Sequence, residues 1–339
     1  MSQPAIRINS LTIGYENKKE FSKIAHQITA SIYAGELTCL IGPNGVGKST
    51  LLRTISKLQP MHGGIVELLG ENINEIRKEK LATLLSVVLT ERPSVYNISV
   101  KEMVAMGRSP YTNYWGSLSK EDDKIVVEVI EMVGVQSLTH RIFATLSDGE
   151  KQKVMIAKAL AQQTPIILLD EPTSFLDYPS KIELMQLLQH LAQQMQKTIL
   201  FSTHDLDLAL QVCDKMAIMS PTEIVVGTPE DLSLSGQLNR FLKIKGVVFD
   251  SESGLFKVQH NYHWAIRIEG EDAPYFMLHK ALLRKGILSN NEIQSEAYIS
   301  VAQNSFTLYL PSEETFTATT IEQLLSYSDL MKCVIPLSE

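Results

Sequence analysis

The sequence predicts an α/β fold with a largely parallel central sheet over its first 243 residues, and a smaller α+β domain after it. Two observations carry this. Short apolar runs alternate with helically spaced stretches through residues 5–243, the pattern of buried strands joined by crossover helices. Beyond Gly246 the pattern changes to period-two alternation, as in WAIRI and SFTLYL, which reads as a separate domain of half-buried strands. The expected division is residues 1–243 and residues 246–339.

Residues 5–15 alternate loosely and predict a strand, with the opening strands more antiparallel than the rest. ELTCLI, residues 36–41, is a short apolar strand ending at a glycine-rich turn, and residues 49–58 have helical spacing. Glycines at 63, 64 and 70 bracket a strand at 65–69, and residues 120–133 carry a helical face. Residues 166–169 form a continuous apolar run, typical of a strand covered on both faces. Helical spacing over 182–195 is followed by short strands at 198–202, 216–219 and 224–226. Pro229 opens a helix, and a last helix lies near Leu242. In the second domain, 321–327 reads as a short helix. LLRKG, residues 282–286, reads as a helix end with basic residues and a glycine.

Hydrophobic content of 44% and charged content of 20% are ordinary for a globular protein, and the net charge of −7 argues against a nucleic-acid partner. Cys39, Cys213 and Cys333 form no CxxC pair and read as buried thiols. There is no signal pattern and no apolar run near the ~20 residues that span a bilayer. The expectation is a soluble, cytoplasmic protein, with any membrane work done through other subunits. His260, His263 and His279 lack an evident third metal ligand and read as surface or packing residues.

Gly42, Pro43, Asn44, Gly45, Val46, Gly47, Lys48 and Ser49 spell GPNGVGKS, the phosphate-cradling pattern G-x-x-x-x-G-K-[ST] between a strand and a helix. Glycines let the backbone wrap phosphates, and the helix N-terminus favours their charge. Lys48 is then placed for the β- and γ-phosphates, Ser49 for Mg²⁺ and Thr50 for the α-phosphate. PIILLDEP ends a strand in two carboxylates. Asp170 is placed to hold Mg²⁺ through its water shell, and Glu171 to orient an attacking water. His204, in STHD, can donate to the γ-phosphate. SFLD, residues 174–177, can contact a neighbouring subunit or simply start a helix at Asp177. LSDGEKQKV, residues 146–154, contains a capping box, Ser147 with Glu150.

In this order the segments resemble the ATP-binding cassette (ABC) ATPase family over about residues 5–243. The resemblance implies a P-loop NTPase fold with an antiparallel β subdomain and a helical subdomain, plus the C-terminal α+β domain. It implies ATP and Mg²⁺ as cofactors and ATP hydrolysis coupled to transport. Tyr15 is the implied adenine-stacking aromatic, and Asp177 belongs to the nucleotide-facing loop. Ser147 and the Gly149 amide are implied to contact the γ-phosphate held by a second copy, so a homodimer is implied. Two departures stand out. The common signature is LSGGQ, whereas Asp148 and Glu150 stand here. Thr90 occupies the coupling-loop position where a glutamine is usual, with Glu91 as a candidate substitute.

ISVKEMVAMGRSPYTNYWG, residues 98–116, resembles the importer branch for ferric siderophores, haem and cobalamin, which carries GR-x-P-[YHW] here. Gly107, Arg108, Ser109, Pro110 and Tyr111, with Tyr114 and Trp115, are expected to line part of a groove for a permease helix. The resemblance thus places permease contacts between Thr90 and Trp115, and the protein on the cytoplasmic face of the cell membrane. The sequence leaves a soluble ABC protein acting on nucleic acid or ribosomes, or an exporter ATPase, as alternatives. Residues 246–339 are expected to be regulatory or dimer-stabilising.

Overall fold

Fourteen-residue strands β1 (Pro4–Asn17) and β2 (Glu20–Tyr33) pair antiparallel at the start of the chain. The structure, a computed structural model, describes residues 3–17, 20–90, 95–113, 116–242, 247–250, 254–258, 261–303, 305–328 and 330–337. It divides into two units, Met1–Lys245 with Phe249–Phe256, and Gly246–Val248 with Lys257–Glu339.

In the first unit β3 (Leu37–Ile41) is followed by α1 (Lys48–Ile55), β4 (Ile65–Leu68), β5 (Glu71–Asn72), α2 (Lys78–Leu84) and β6 (Leu85–Val88). Helix α3 (Val100–Ala105) runs into a 3-10 turn, Met106–Tyr111, and then come α4 (Lys120–Met132) and α5 (Asp148–Ala161). The unit continues through β7 (Ile166–Leu169), α6 (Tyr178–Gln193), β8 (Thr198–Ser202) and α7 (Leu206–Val212). It ends with β9 (Lys215–Met219), β10 (Ile224–Gly227), α8 (Pro229–Leu234) and α9 (Gln237–Leu242).

These strands form a four-stranded sheet, β2-β1-β4-β5, and a six-stranded sheet, β10-β9-β3-β8-β7-β6. In the larger sheet β9, β3, β8, β7 and β6 are parallel, while β10 pairs β9 antiparallel. Strands β3, β7 and β8 are buried along their whole length, as parallel strands covered on both faces must be. One core joins the two sheets: Ile6, Ile8 and Leu11 of β1 pack with Leu51, Leu52 and Ile55 of α1 and with Leu168 and Leu200. Burying each such side chain stabilises the fold by roughly 1.5–3 kcal/mol. Ligands of open parallel sheets bind beyond the carboxyl ends of the strands. Here β3, β6, β7 and β8 all deliver their next residues to that edge.

Strand β2 goes beyond the sequence expectation. Gln27 adopts φ 56° in mid-strand, so buried Ala25 and Ile28 fall three apart and the period-two signal breaks. Helix α1 stops at Ile55, short of the expected 58, because Lys57 turns left-handed with φ 57°. Helix α6 begins at Tyr178 rather than 182, because Asp177 caps it by accepting from the Ser180 amide at 3.1 Å.

A separate two-stranded sheet is formed by β11 (Val247–Asp250) and β12 (Leu255–Val258). The second unit holds β13 (Trp264–Glu269), α10 (Asp272–Arg284), β14 (Ile287–Asn290), β15 (Tyr298–Ala302), β16 (Ser305–Tyr309) and β17 (Thr315–Ala318). Helices α11 (Ile321–Leu325) and α12 (Leu330–Cys333) and strand β18 (Ile335–Pro336) close it. The sheet order is β14-β13-β15-β16-β17, with β18 on β13. Inward residues Ile266, Ile268, Ile299 and Leu308 pack with Leu278 and Leu282 of α10. Gly286, at φ 75°, follows that helix as a left-handed terminator. His279 Nδ1 lies 3.0 Å from Ser289 Oγ, and no metal-binding cluster of three occurs among the described residues. His260 lies outside them. All three cysteines are buried, and none forms a disulfide. Burial pushes the Cys213 thiol up, aided by its contact with Cys39.

Candidate active site

The loop between β3 and α1 needs glycine at two places. Gly45 and Gly47 hold φ of 79° and 107°, conformations that an L side chain adopts only with strain. A Cβ on Gly47 would also sit 2.7 Å from Ile24 Cγ2. Gly47 is the N-cap of α1 and makes no side-chain cap, so the first-turn amides remain available to an anion. Asn44 is exposed, Pro43 half-buried, and Val46 is anchored in the core. Lys48 is 7% exposed. Its Nζ donates to the Gly42 carbonyl at 2.9 Å and the Pro43 carbonyl at 3.3 Å, which curls the ammonium over the loop. Tyr15, half exposed on β1, has its hydroxyl 2.9 Å from Thr50 Oγ1.

Asp170 is the residue after β7 and is 2% exposed. Three hydroxyls converge on it. Ser49 and Ser202 donate to Oδ1 at 3.0 and 2.7 Å, and Thr90 donates to Oδ2 at 2.9 Å. A buried carboxylate ringed by hydroxyl oxygens beside a phosphate-binding loop is a hard-oxygen donor set, which fits Mg²⁺. Ser202 also accepts from the Glu171 amide at 2.9 Å, so one hydroxyl ties the two carboxylate residues together.

Glu171 has φ 50° and Phe175, four residues on, φ 66°. Left-handed backbone at such residues costs about 1–3 kcal/mol each. The Glu171 carboxylate accepts from Ser174 Oγ at 3.1 Å and lies 3.0 Å from His204 Nε2. Both side chains remain partly open, at 33% and 48%. A carboxylate held from two sides with one edge toward solvent can orient a water and accept its proton.

Ser147 caps α5 in a reciprocal box: it accepts from the Glu150 amide, and Glu150 accepts from the Ser147 amide at 2.7 Å. That backbone hydrogen bond, with the Ser147 side chain and Arg141, holds the Glu150 carboxyl below its ordinary range. Gly149 packs toward the Phe175 carbonyl, so the signature segment and SFLD share one patch. Asp177 is likewise held low by the Ser180 hydroxyl and amide.

Two family models match the chain. One, described as ABC transporter, covers residues 25–174, and the other, described as Iron ABC transporter C-terminal domain, covers residues 263–328. An uncharacterized ABC transporter ATP-binding protein of Methanocaldococcus jannaschii is 39% identical over 257 residues, covering 76% of this chain and 87% of that protein.

The chain belongs to the ABC transporter ATP-binding family.

The ferric enterobactin transport ATP-binding protein FepC of Escherichia coli is 33% identical to this cassette over 246 residues, 72% of this chain and 89% of that one. The petrobactin import ATP-binding protein FpuC of Bacillus anthracis is 33% identical over 226 residues, 66% of this chain and 83% of that one. Among solved structures, the cassette MJ0796, dimeric in a post-hydrolysis state with ADP and Pi, aligns with a TM-score of 0.59 and 27% identity, over 66% of this chain and 98% of that one. This chain is therefore an ATP-binding, ATP-hydrolysing ABC cassette with an antiparallel β subdomain and a C-terminal domain.

The cassette brings together residues that motif reading kept apart. The sequence gives Ser202 no role and Ser174 only a place in SFLD, though hydroxyls in STHD and SFLD are a visible signal. Thr90, too short to replace a glutamine at a metal, reaches the carboxylate instead. Glu91 lies outside the described residues. Thr90→Val is expected to raise the Mg²⁺ concentration needed for half-maximal ATP hydrolysis by roughly 3–10-fold, from the loss of a hydrogen bond to a charged group. Thr90→Ser should keep it near wild type. An Mg²⁺ titration that superimposes Thr90→Val on wild type would remove Thr90 from that role.

Proposed function

We propose that this cassette is the energy-coupling subunit of an importer for a ferric siderophore or a related chelate such as haem or cobalamin. The observation that carries the reading is the pairing on one chain of the ABC transporter match with the Iron ABC transporter C-terminal match. In this reading two copies sandwich two ATP·Mg²⁺. Lys48 and the 42–49 amides bind the phosphates, while Ser49 and Asp170 hold the metal, whose charge offsets that of the phosphates. Glu171, oriented by His204 and Ser174, takes the proton of the attacking water. Ser147 and Gly149 complete the partner's site, and Tyr15 and Asp177 border the nucleotide. Nucleotide contacts present only in the closed dimer shift the population toward it, and hydrolysis releases it.

No helix among the described residues is long and apolar enough to cross a membrane. A permease supplies the spanning helices in this reading, with the cassette at its cytoplasmic face. A cleft of about 500 Å³ lined by Leu58, Lys78, Leu81, Leu85, Met155 and Lys158, none of them in the 90–115 stretch expected from the sequence, supports docking of a permease helix. Its lining is mostly apolar, with lysines among it, and Leu58 is 60% exposed. Leu58→Glu is expected to abolish co-purification with the permease while the isolated cassette still hydrolyses ATP at its usual rate. Retained co-purification would move the docking site elsewhere.

The import reading is tested by deleting the gene in its host and following uptake of labelled ferric siderophores, haem and cobalamin. Loss of one, restored by the wild-type chain, is the expected result. Unchanged uptake of all three rejects the reading. The accessory role of residues 246–339 is tested by ending the chain at Lys245. Weaker ATP-dependent dimerisation is expected, and unchanged dimerisation, hydrolysis and transport would dismiss the role.

A further inference from the structure

ATP chemistry leaves the MGRSPY segment unexplained. As sequence it was expected to line a groove, but the structure buries its arginine. Arg108 is 5% exposed. Its Nε donates to Asp122 Oδ1 at 2.8 Å, and its Nη1 donates to the Ala161 carbonyl at 2.8 Å and to Gln163 Oε1 at 3.0 Å. The guanidinium lies 4.1 Å from the centroid of the Tyr111 ring. Tyr111 in turn donates its hydroxyl to the Gln162 carbonyl at 2.9 Å. Gly107 lies so close to α5 that a Cβ there would overlap the Lys158 carbonyl. Asp122 also belongs to the capping box of α4. The Ser119 hydrogen bonds, with Arg108, hold its carboxyl at about 2. Tyr114 and Trp115 lie outside the described residues.

Apart from Asp122, these partners sit on the last turn of α5 or just beyond it. That is the end opposite Ser147. The helix has 14 residues and so spans roughly 21 Å. A guanidinium at its C-terminus also complements the negative end of the helix dipole. The same turn is pinned to the core. Gln162 Nε2 donates to the Ala82 and Leu85 carbonyls at 2.6 and 3.0 Å, and Lys197 Nζ donates to the Thr164 carbonyl at 2.9 Å. The 106–111 turn, α4, α5 and the parallel sheet therefore meet at one point, and the planar fork of Arg108 joins three of them.

We propose that Arg108 is a positioning residue for the signature segment: it locks the 106–111 turn to the far end of α5, so that turn and helix move as one lever carrying Ser147. This rests on the reading that Ser147 acts on the partner's nucleotide. A lysine, a point charge on a flexible stem, cannot hold the three directions at once.

The test uses the full chain with Glu171→Gln, which is expected to retain ATP. Sedimentation measures the ATP concentration needed for half-dimerisation. A fluorescent ATP analogue, at a protein concentration too low to dimerise, measures binding to one copy. Adding Arg108→Met is expected to raise the dimerisation concentration about tenfold or more, a typical coupling between distant sites. Affinity of the single copy should stay within about twofold, because the cradle sits on another part of the fold. Arg108→Lys should recover only part of the shift. A merely structural role would move both readouts together or neither. If Arg108→Met does not fold, Tyr111→Phe removes one hydroxyl and should shift dimerisation alone, in the same direction and less. Unchanged dimerisation in the folded variant overturns the inference. If the Arg108-containing chain itself fails to dimerise with ATP, the dimer reading falls first and takes the inference with it.

Discussion

Glu171→Gln is expected to slow ATP hydrolysis by ~10²–10⁴-fold while ATP binding survives. The amide keeps the size and the reach toward Ser174 and His204, which lie 3.1 and 3.0 Å from the carboxylate. What it loses is the negative charge that polarises water and the basicity that receives its proton. Since phosphoryl transfer rests on positioning and charge rather than covalent help, that loss falls on the chemical step. ATP-bound dimers should accumulate, visible by sedimentation, as phosphate release stalls. Turnover within a few-fold of wild type would take Glu171 out of its assigned role.

Lys48→Ala acts one step earlier and should weaken ATP binding itself. The ammonium is nearly buried and already directed over the loop by the Gly42 and Pro43 carbonyls. Truncating one partner of a buried charge pair costs about 2–5 kcal/mol, or roughly 30-fold or more in affinity. Titration with a fluorescent ATP analogue reads this directly. An unchanged affinity would contradict the cradle assignment. The two variants thus separate binding from chemistry: one holds nucleotide and does not turn it over, the other scarcely holds it.

The candidate site residues were legible because the chemistry proposed for them is local. GPNGVGKS, LSDGE, LLDEP and STHD each place function within a few residues of a strand end or helix start. Regular strands such as β7 and β8 were equally plain. Strand β2 was not, since the left-handed turn at Gln27 breaks the alternation that marks a strand. Arg108 was misread for a different reason. Its partners lie 14, 53 and 55 residues away, and no spacing rule connects them. The Ser202 bridge between the two carboxylate residues likewise depends on β7 and β8 being parallel neighbours, which a single strand cannot reveal.

The loop after β7 has one more consequence. Its two left-handed non-glycine residues, Glu171 and Phe175, put local backbone strain beside the carboxylate proposed to act on water. Selection for heat resistance alone would favour glycine at both, easing the chain, and at Glu171 it would also remove the carboxylate proposed to act on the water. Attempts to toughen this protein should leave that loop untouched and seek their gains in the far sheet or the C-terminal unit.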